Sequence, residues 1–275
     1  MADDFPLYEK ACNVAVRAAR KAGKMIRSAA GTIDPESIRE KGIHDLVTHV
    51  DLEAERIILR DIRDEFPRHG FLAEEDTDAG QDTPADPEYL WIIDPLDGTT
   101  NFTRDVPPYA VSIALQHEEN LVLGVVLDIP GDDLYTAISG QGVFVNGKIA
   151  GVSKTIRLAD GLVGTGFPYR SFDHIDLYLS VLRRFMQTTR GVRRPGSAAV
   201  DLAWVATGRF DGFFETGLKP WDVAAGFVLV REGGGRVSDY SGNLNPILGE
   251  QIIASNGLVH EEMLDIVSPM RDVYD

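Results

Sequence analysis

The sequence has a single cysteine, Cys12, so no internal disulfide can form and the chain suits a reducing cytoplasm. No apolar run reaches the ~18 residues that a membrane-spanning helix needs. The first residues, Met-Ala-Asp-Asp-Phe-Pro, are acidic rather than signal-like. Positive charge is scarce: 27 Lys and Arg stand against 43 Asp and Glu, a formal charge of −16 over 275 residues. Such a chain lacks the basic footprint that direct nucleic-acid binding requires, and it is repelled by anionic membrane surfaces. The six histidines (His44, His49, His69, His117, His174, His260) show neither His-x-x-x-His nor Cys/His zinc spacing, so surface or packing roles are expected of them. There is no Gly-x-x-x-x-Gly-Lys loop, the run Gly233–Gly235 lacks the dinucleotide pattern, and the sequence around Ser197 is not a nucleophile elbow. What remains is an ordinary globular composition, 44% hydrophobic and 25% charged, sized for one large domain or two small ones sharing a core.

Periodicity places the elements. Leu7, Ala11, Val14, Ala18, Ala22, Met25 and Ala29 recur in steps of three and four, predicting an amphipathic helix that stops at Gly31. A second helix is predicted over Val50–Phe66, opened by a capping box in Thr48-His-Val-Asp51 and closed by Pro67. The period then changes. Gly70–Ala73 and Tyr89–Ile93 read as buried strands, separated by an acidic stretch, Glu74 to Glu88, that reads as a solvated loop. Val111–Leu115, Leu121–Leu127, Leu134–Ile138 and Val143–Val145 follow as a mainly antiparallel meander with a hairpin turn at Asn146-Gly147.

From about residue 155 the pattern alternates. Strands are expected at Leu162–Gly166, Gly191–Arg193, Gly212–Glu215, Gly235–Ser238 and Gln251–Ala254, with helices at Ile175–Met186, Ala198–Ala206, Trp221–Arg231 and Glu261–Val267. Helices first, a meander next and alternation last predict a layered α/β architecture. Two subdomains are expected, 1–153 and 154–275, joined in one compact unit.

The most informative segment is Trp91-Ile-Ile-Asp94-Pro95-Leu96-Asp97-Gly98-Thr99-Thr100-Asn101-Phe102. A buried strand ends on Asp94, and a second carboxylate follows three residues later across a proline-stiffened turn. Two carboxylates and the Leu96 carbonyl can then face one point, a hard-oxygen donor set suited to Mg²⁺. Gly98-Thr99 offers backbone N–H groups that can hold a phosphate oxygen. Asp97-Gly98 alone reads as a turn, but that reading does not explain a second acid at the end of an apolar strand. Other acids are ambiguous singly. Glu74-Glu75-Asp76 is a run of loop acids, Asp222 sits where it favours a helix dipole, and Asp51 serves as a capping acid.

Taken together, Asp94-Pro-Leu-Asp97-Gly98-Thr99-Thr100-Asn101-Phe102 and Trp221-Asp222-Val-Ala-Ala-Gly226 resemble the two signature motifs of the inositol monophosphatase family. That family belongs to the lithium-sensitive, Mg²⁺-dependent phosphatase superfamily that also holds fructose-1,6-bisphosphatases. The resemblance runs from Asp45-Leu-Val-Thr48 to Glu232-Gly-Gly-Gly235. It implies a layered αβαβα sandwich of the sugar-phosphatase type.

The resemblance also implies roles. Glu74, Asp94 and the Leu96 carbonyl would bind one Mg²⁺, and Asp94, Asp97 and Asp222 a second. A third, looser ion would sit near Glu74, giving two or three per site. Asp51 and Thr99 would orient and deprotonate the attacking water. The N–H groups of Gly98 and Thr99 would hold the phosphate, with Asp97 nearby. Gly196, Ser197, Ala198 and Glu215 would contact the alcohol portion of a small phosphorylated polyol or sugar. A homodimer is also implied.

Elementary electrostatics points the same way. Two carboxylates about 4 Å apart repel by roughly 4 kcal/mol at an effective dielectric near 20. Five converging acids therefore need cations, and the same cations can activate a water for in-line displacement without a covalent phospho-enzyme. The departures from the family pattern, Ala73 for a common Gly and Gly233 for a common Ala, remove no ligand. Lys219 stands where a cation could favour a second phosphate, or it is a surface lysine. Arg193-Arg194 reads as a solvated pair, with a place at a substrate rim or subunit contact as the alternative, and Trp204 and Trp221 as packing residues. The expected activity is Mg²⁺-dependent hydrolysis of myo-inositol 1-phosphate, Glu215 favouring a polyol because a carboxylate accepts bonds from ring hydroxyls. The alternatives are fructose-1,6-bisphosphatase, histidinol-phosphatase, a 3′-phosphonucleotide phosphatase, or a regulatory protein that kept the fold without catalysis.

Overall fold

The computed structural model describes residues 5–33, 39–42, 45–75, 87–168, 172–243 and 251–273. Two long helices come first, α1 (Phe5–Ala29) and α2 (His49–Glu65), with a small antiparallel ribbon, β1 (Arg39–Gly42) and β2 (Asp45–Val47), between them. The small side chains of Ala11, Ala15, Ala18, Ala19 and Ala22 form the buried face of α1 and let it pack closely on α2. The capping box at α2 is present: the Asp51 carboxylate accepts from Thr48 N–H (2.9 Å), and Thr48 Oγ accepts from Val50 N–H (3.1 Å).

A seven-stranded sheet follows in plain chain order. Its strands are β3 (Gly70–Ala73), β4 (Tyr89–Asp97), β5 (Ala110–His117), β6 (Asn120–Asp128), β7 (Asp133–Ile138), β8 (Val143–Val145) and β9 (Lys148–Ala150). Only β3 and β4 run parallel; every later pair is antiparallel, as the meander predicts. One turn of helix, α3 (Thr99–Thr103), follows β4. The second sheet has the order β11-β10-β12-β14-β13, built from β10 (Leu162–Thr165), β11 (Gly191–Arg193), β12 (Gly212–Thr216), β13 (Arg236–Ser238) and β14 (Gln251–Ser255). Its helices are α4 (Ile175–Thr188), α5 (Ala198–Ala206), α6 (Pro220–Glu232) and α7 (His260–Val267).

The period-two alternation of strand side chains sorts the layers. From β5 and β6, Val111, Ile113, Leu115, Leu123, Val125 and Leu127 join the core beneath α1 and α2. The opposite-facing Ala110, Ala114 and Val126 join a second core with α5 and α6. Phe213, Ile252 and Ala254 of the second sheet meet that same core from the other side, while Phe214 and Ile253 face α4 and α7. The order is helices, sheet, helices, sheet, helices, the αβαβα sandwich. The middle helix layer is buried against both sheets. Among the described residues, no helix is long and apolar enough to cross a membrane.

Two sequence expectations change. β4 does not end at Ile93 but continues through Pro95 to Asp97, with its register against β5 shifting between Asp94 and Asp97. A bulge tolerates proline because no ladder hydrogen bond is demanded there. The acidic loop after Glu74 falls largely outside the described residues, Asp76 included.

Candidate active site

The bulge in β4 builds the site. Asp94 pairs with Ser112 and Asp97 with Ala110, so the two residues between them leave the ladder. Leu96 N–H donates instead to the Asp94 carboxylate (3.0 Å), and the Leu96 carbonyl accepts from the Thr99 hydroxyl (3.1 Å). The parallel register of β3 and β4 sets Ala73 beside Ile93, and Glu74 N–H continues it by donating to the Ile93 carbonyl (3.2 Å). Glu74 therefore arrives next to Asp94. Asp222 comes from the first turn of α6, where its carboxylate accepts from Lys219 N–H (2.6 Å). Asp222 thus stands at the helix terminus, as its dipole reading expects, and also lines the cavity described below.

These elements surround a cavity of about 300 Å³ between the two sheets. Glu74, Asp94, Leu96, Asp97 and Asp222 line it, and so do Gly98, Thr99, Gly196, Ala198 and Glu215. Gly98 adopts a left-handed backbone (φ 88°), and a Cβ there would stand 3.1 Å from the Gly196 and Pro108 carbonyls. Gly166 is equally constrained, since a Cβ would collide with the Glu215 carboxylate.

Two expected site residues lie behind the wall instead of on it. Asp51 is buried under Thr99; its Oδ1 accepts from the Thr99 hydroxyl (3.0 Å) and its Oδ2 from the Thr48 hydroxyl (2.5 Å). Only the Thr99 half of that pair lines the cavity. Ser197 was expected to touch substrate, but it is 1% exposed and donates to Asp97 Oδ2 at 2.5 Å, beside Ala199 N–H at 2.8 Å. As the residue just before α5, it turns its hydroxyl to Asp97 rather than to the cavity.

The acids are crowded. Burial pushes the Asp94 carboxyl well above its ordinary range, and the charges of Glu74, Asp97 and Asp222 push it further. Burial also lifts Asp97, to about 6, although Ser197, Ala199 N–H and Arg194 oppose the rise. Asp51 is raised by burial against the pull of Thr48 and Thr99. Carboxylates held this close are stable only with protons or cations among them, and an all-oxygen donor set with one carbonyl suits a hard divalent ion. Among the described residues no three His, Cys, Asp or Glu side chains stand in metal-caging geometry. The residues present fit Mg²⁺ on this donor chemistry.

Three further residues carry signals that sequence reading passed over or misjudged. Glu55, 0% exposed on α2, accepts from Glu75 N–H (2.8 Å) and so fixes the backbone beside Glu74. Its position four residues after Asp51 on a buried helix face was the available signal. Asp201 lines the cavity from α5. Arg194, read as solvated, also lines it, with its guanidinium 5.4 Å from the Phe167 ring centroid. Lys219 is not among the lining residues. The described histidines behave as expected: His69 accepts from Trp91 Nε1 (3.0 Å), and His260 is buried between Ser238 and Ser255 (2.9 Å each). Trp204 and Trp221 pack against the middle core.

Fold and site define the sugar-phosphatase class: a five-layer sandwich with clustered carboxylates at the mouth between its sheets. Residues 7–270 match the inositol monophosphatase family, and the chain belongs to it. It is thus a phosphatase of that superfamily, whose members generally depend on Mg²⁺. It is 44% identical to the Nus factor SuhB of Escherichia coli over 262 residues, 94% of this chain and 95% of that one. Among solved structures it resembles the extragenic suppressor protein suhB of Bartonella henselae, with a TM-score of 0.87, 39% identity and coverage of 93% and 97%. It also resembles the inositol monophosphatase of Anabaena, with a TM-score of 0.82, 36% identity and coverage of 94% and 96%.

Proposed function

We propose that the chain hydrolyses a phosphate monoester, myo-inositol 1-phosphate, to inositol and phosphate with Mg²⁺. The observation that carries this reading is the confinement of Asp94 with Glu74, Asp97 and Asp222 on one cavity that the Thr99 hydroxyl also lines. Glu74, Asp94, the Leu96 carbonyl, Asp97 and Asp222 would hold two or three ions. When bound, Mg²⁺ lowers the pKa of a water and stabilises charge on the departing oxygen.

The chain's own groups do the rest. Thr99 Oγ lies between the Asp51 carboxylate and the Leu96 carbonyl, so it can accept a proton from water as it passes its own to Asp51. Asp51 acts through Thr99. Burial raises its affinity for that proton and keeps solvent from supplying another. Thr99 N–H, at the left-handed turn of Gly98, is placed to orient the phosphoryl group. The Gly98 N–H is shared with the Asp97 carboxylate, which ties phosphate orientation to the state of that ligand. Glu215 on the opposite wall accepts from leaving-group hydroxyls. The position of Lys219 off the wall supports a monophosphate over a bisphosphate.

Phosphate release from a panel of esters, with and without Mg²⁺ and Li⁺, tests the reading. Turnover of myo-inositol 1-phosphate that needs Mg²⁺ and is suppressed by Li⁺ is the expected result, and no metal-dependent turnover on any ester defeats it. The same reading carries a homodimer, checked by sedimentation.

A second role has one observation in its favour, the name Nus factor borne by the E. coli relative. We propose that this chain shares the factor role through its surface, independently of catalysis. Complementation of E. coli lacking SuhB by the catalytically disabled Asp94→Asn chain supports it, and failure of the wild-type chain to complement refutes it.

A further inference from the structure

Resting on the phosphatase reading, we infer that Asp201 is a specificity-determining residue, a second acceptor beside Glu215 that selects a hydroxylated leaving group. Asp201 lies on the first turn of α5 and lines the cavity, yet it is only 1% exposed. Its Oδ1 has no hydrogen-bond partner among the described residues. A buried carboxyl oxygen without a donor is costly, and proteins keep such groups where a ligand completes them.

The neighbours show which ligand. Asp201 stands within the electrostatic reach of Glu215, Asp97 and Arg194. Asp97 belongs to the metal end, held by Ser197 and Ala199 N–H from the same helix start. Asp201 and Glu215 are left facing the other end, where the alcohol of the ester must lie. Arg194 supplies the one cationic donor among the described lining residues, braced over Phe167. Two carboxyl groups and one guanidinium suit a neutral group that both donates and accepts at several points, which describes a polyol. A flat or alkyl alcohol would leave the Asp201 oxygen unpaired, and a site built to bond hydroxyls rejects analogues lacking them.

The test is a selectivity ratio. The kcat/KM for myo-inositol 1-phosphate is divided by that for 4-nitrophenyl phosphate, which has no hydroxyls, in wild type, Asp201→Asn and Asp201→Ser. Because both substrates are read on one preparation, the ratio does not depend on how much of the variant folds. The inference expects the ratio to fall about tenfold in Asp201→Ser, with the loss in KM for the inositol ester and a smaller fall in Asp201→Asn. A ratio within twofold of wild type in both variants overturns it. Loss of both activities together in both variants also overturns it, because Asp201 would then serve the fold or the chemistry. Absence of ester turnover in the wild type defeats the phosphatase reading itself, a different result from an unchanged ratio in an active enzyme.

Discussion

Ser197 donates its hydroxyl to Asp97 at 2.5 Å across 100 residues of sequence, joining the end of a strand in the first sheet to the start of the central helix α5. The bond fixes which carboxylate oxygen of Asp97 is left for the cavity, since Oδ2 is consumed by Ser197 and by Ala199 N–H. Asn101 reinforces the seam, its Nδ2 bonding the carbonyls of Pro108 (2.8 Å) and Pro195 (2.9 Å). The site is assembled from both halves of the chain, and its accuracy depends on this seam.

Ser197→Ala should therefore act through metal affinity rather than chemistry. Losing an outer partner of a ligand typically weakens metal binding about 10- to 100-fold. The expected outcome is a Mg²⁺ activation curve displaced by about that factor, with kcat at saturating Mg²⁺ nearly restored. A Mg²⁺ titration of turnover checks it.

Thr99 and Asp51 should behave as one device. Thr99→Val removes the only hydroxyl of the pair on the cavity wall and should lower kcat by about a hundredfold or more, whereas Thr99→Ser keeps the relay. Because Asp51 acts through Thr99, the Thr99→Val, Asp51→Asn double variant should be no slower than the slower single variant. Multiplying losses would show that Asp51 reaches the reacting water by another route.

Glu55 offers a test away from the cavity. Glu55→Ala removes the acceptor of the part-buried Glu75 N–H, at a cost of about 1 kcal/mol, and loosens the segment that presents Glu74. Both the melting temperature and Mg²⁺ affinity should fall, and Glu55→Gln should recover most of each. Calorimetry alongside the Mg²⁺ titration would show it.

Acid stability should be limited by buried His260 and half-buried His69. Burial first, and nearby Arg68 and Arg236 respectively, lower His69 and His260 from 6.5 to about 4. The folded state thus binds fewer protons than the unfolded one in that range. Their contribution is complete above pH 6.5 and is lost as pH falls toward 4. His260→Gln, with the Ser238 and Ser255 hydroxyls still partnered, should flatten the loss between pH 6.5 and 4, measured by urea unfolding at each pH.

Much of this architecture was legible in the sequence because periodicity reports burial directly. The alternation in Val111–Leu115 and Leu121–Leu127 marks strands with two buried faces, and the alanine stripe of α1 marks a helix packed closely on another. The acid-rich lining of the cavity was legible because Asp94, Leu96 and Asp97 are local to one another, and Glu74 and Asp222 each abut a strand or helix end. What could not be read was set by long-range partners. Whether Ser197 faces substrate or Asp97, and whether Arg194 is solvated or on the wall, depends on how α5 docks against β4. The continuation of β4 through Pro95 was hidden because a bulge looks like a turn until its partner strand is known. Asp201 drew no reading from the sequence, because its place on the cavity wall depends on the same docking.

The central claim is that the acids converging on Asp94 exist to hold the ions that drive ester hydrolysis. Asp94→Asn keeps the side-chain shape and removes the charge on which burial, Glu74, Asp97 and Asp222 all press. The most direct measurement is phosphate release from myo-inositol 1-phosphate at saturating Mg²⁺, wild type against Asp94→Asn, with both melting temperatures recorded. The account predicts a loss of several orders of magnitude in turnover, with a metal-free melting temperature at or above that of wild type. Turnover by Asp94→Asn within tenfold of wild type would contradict it.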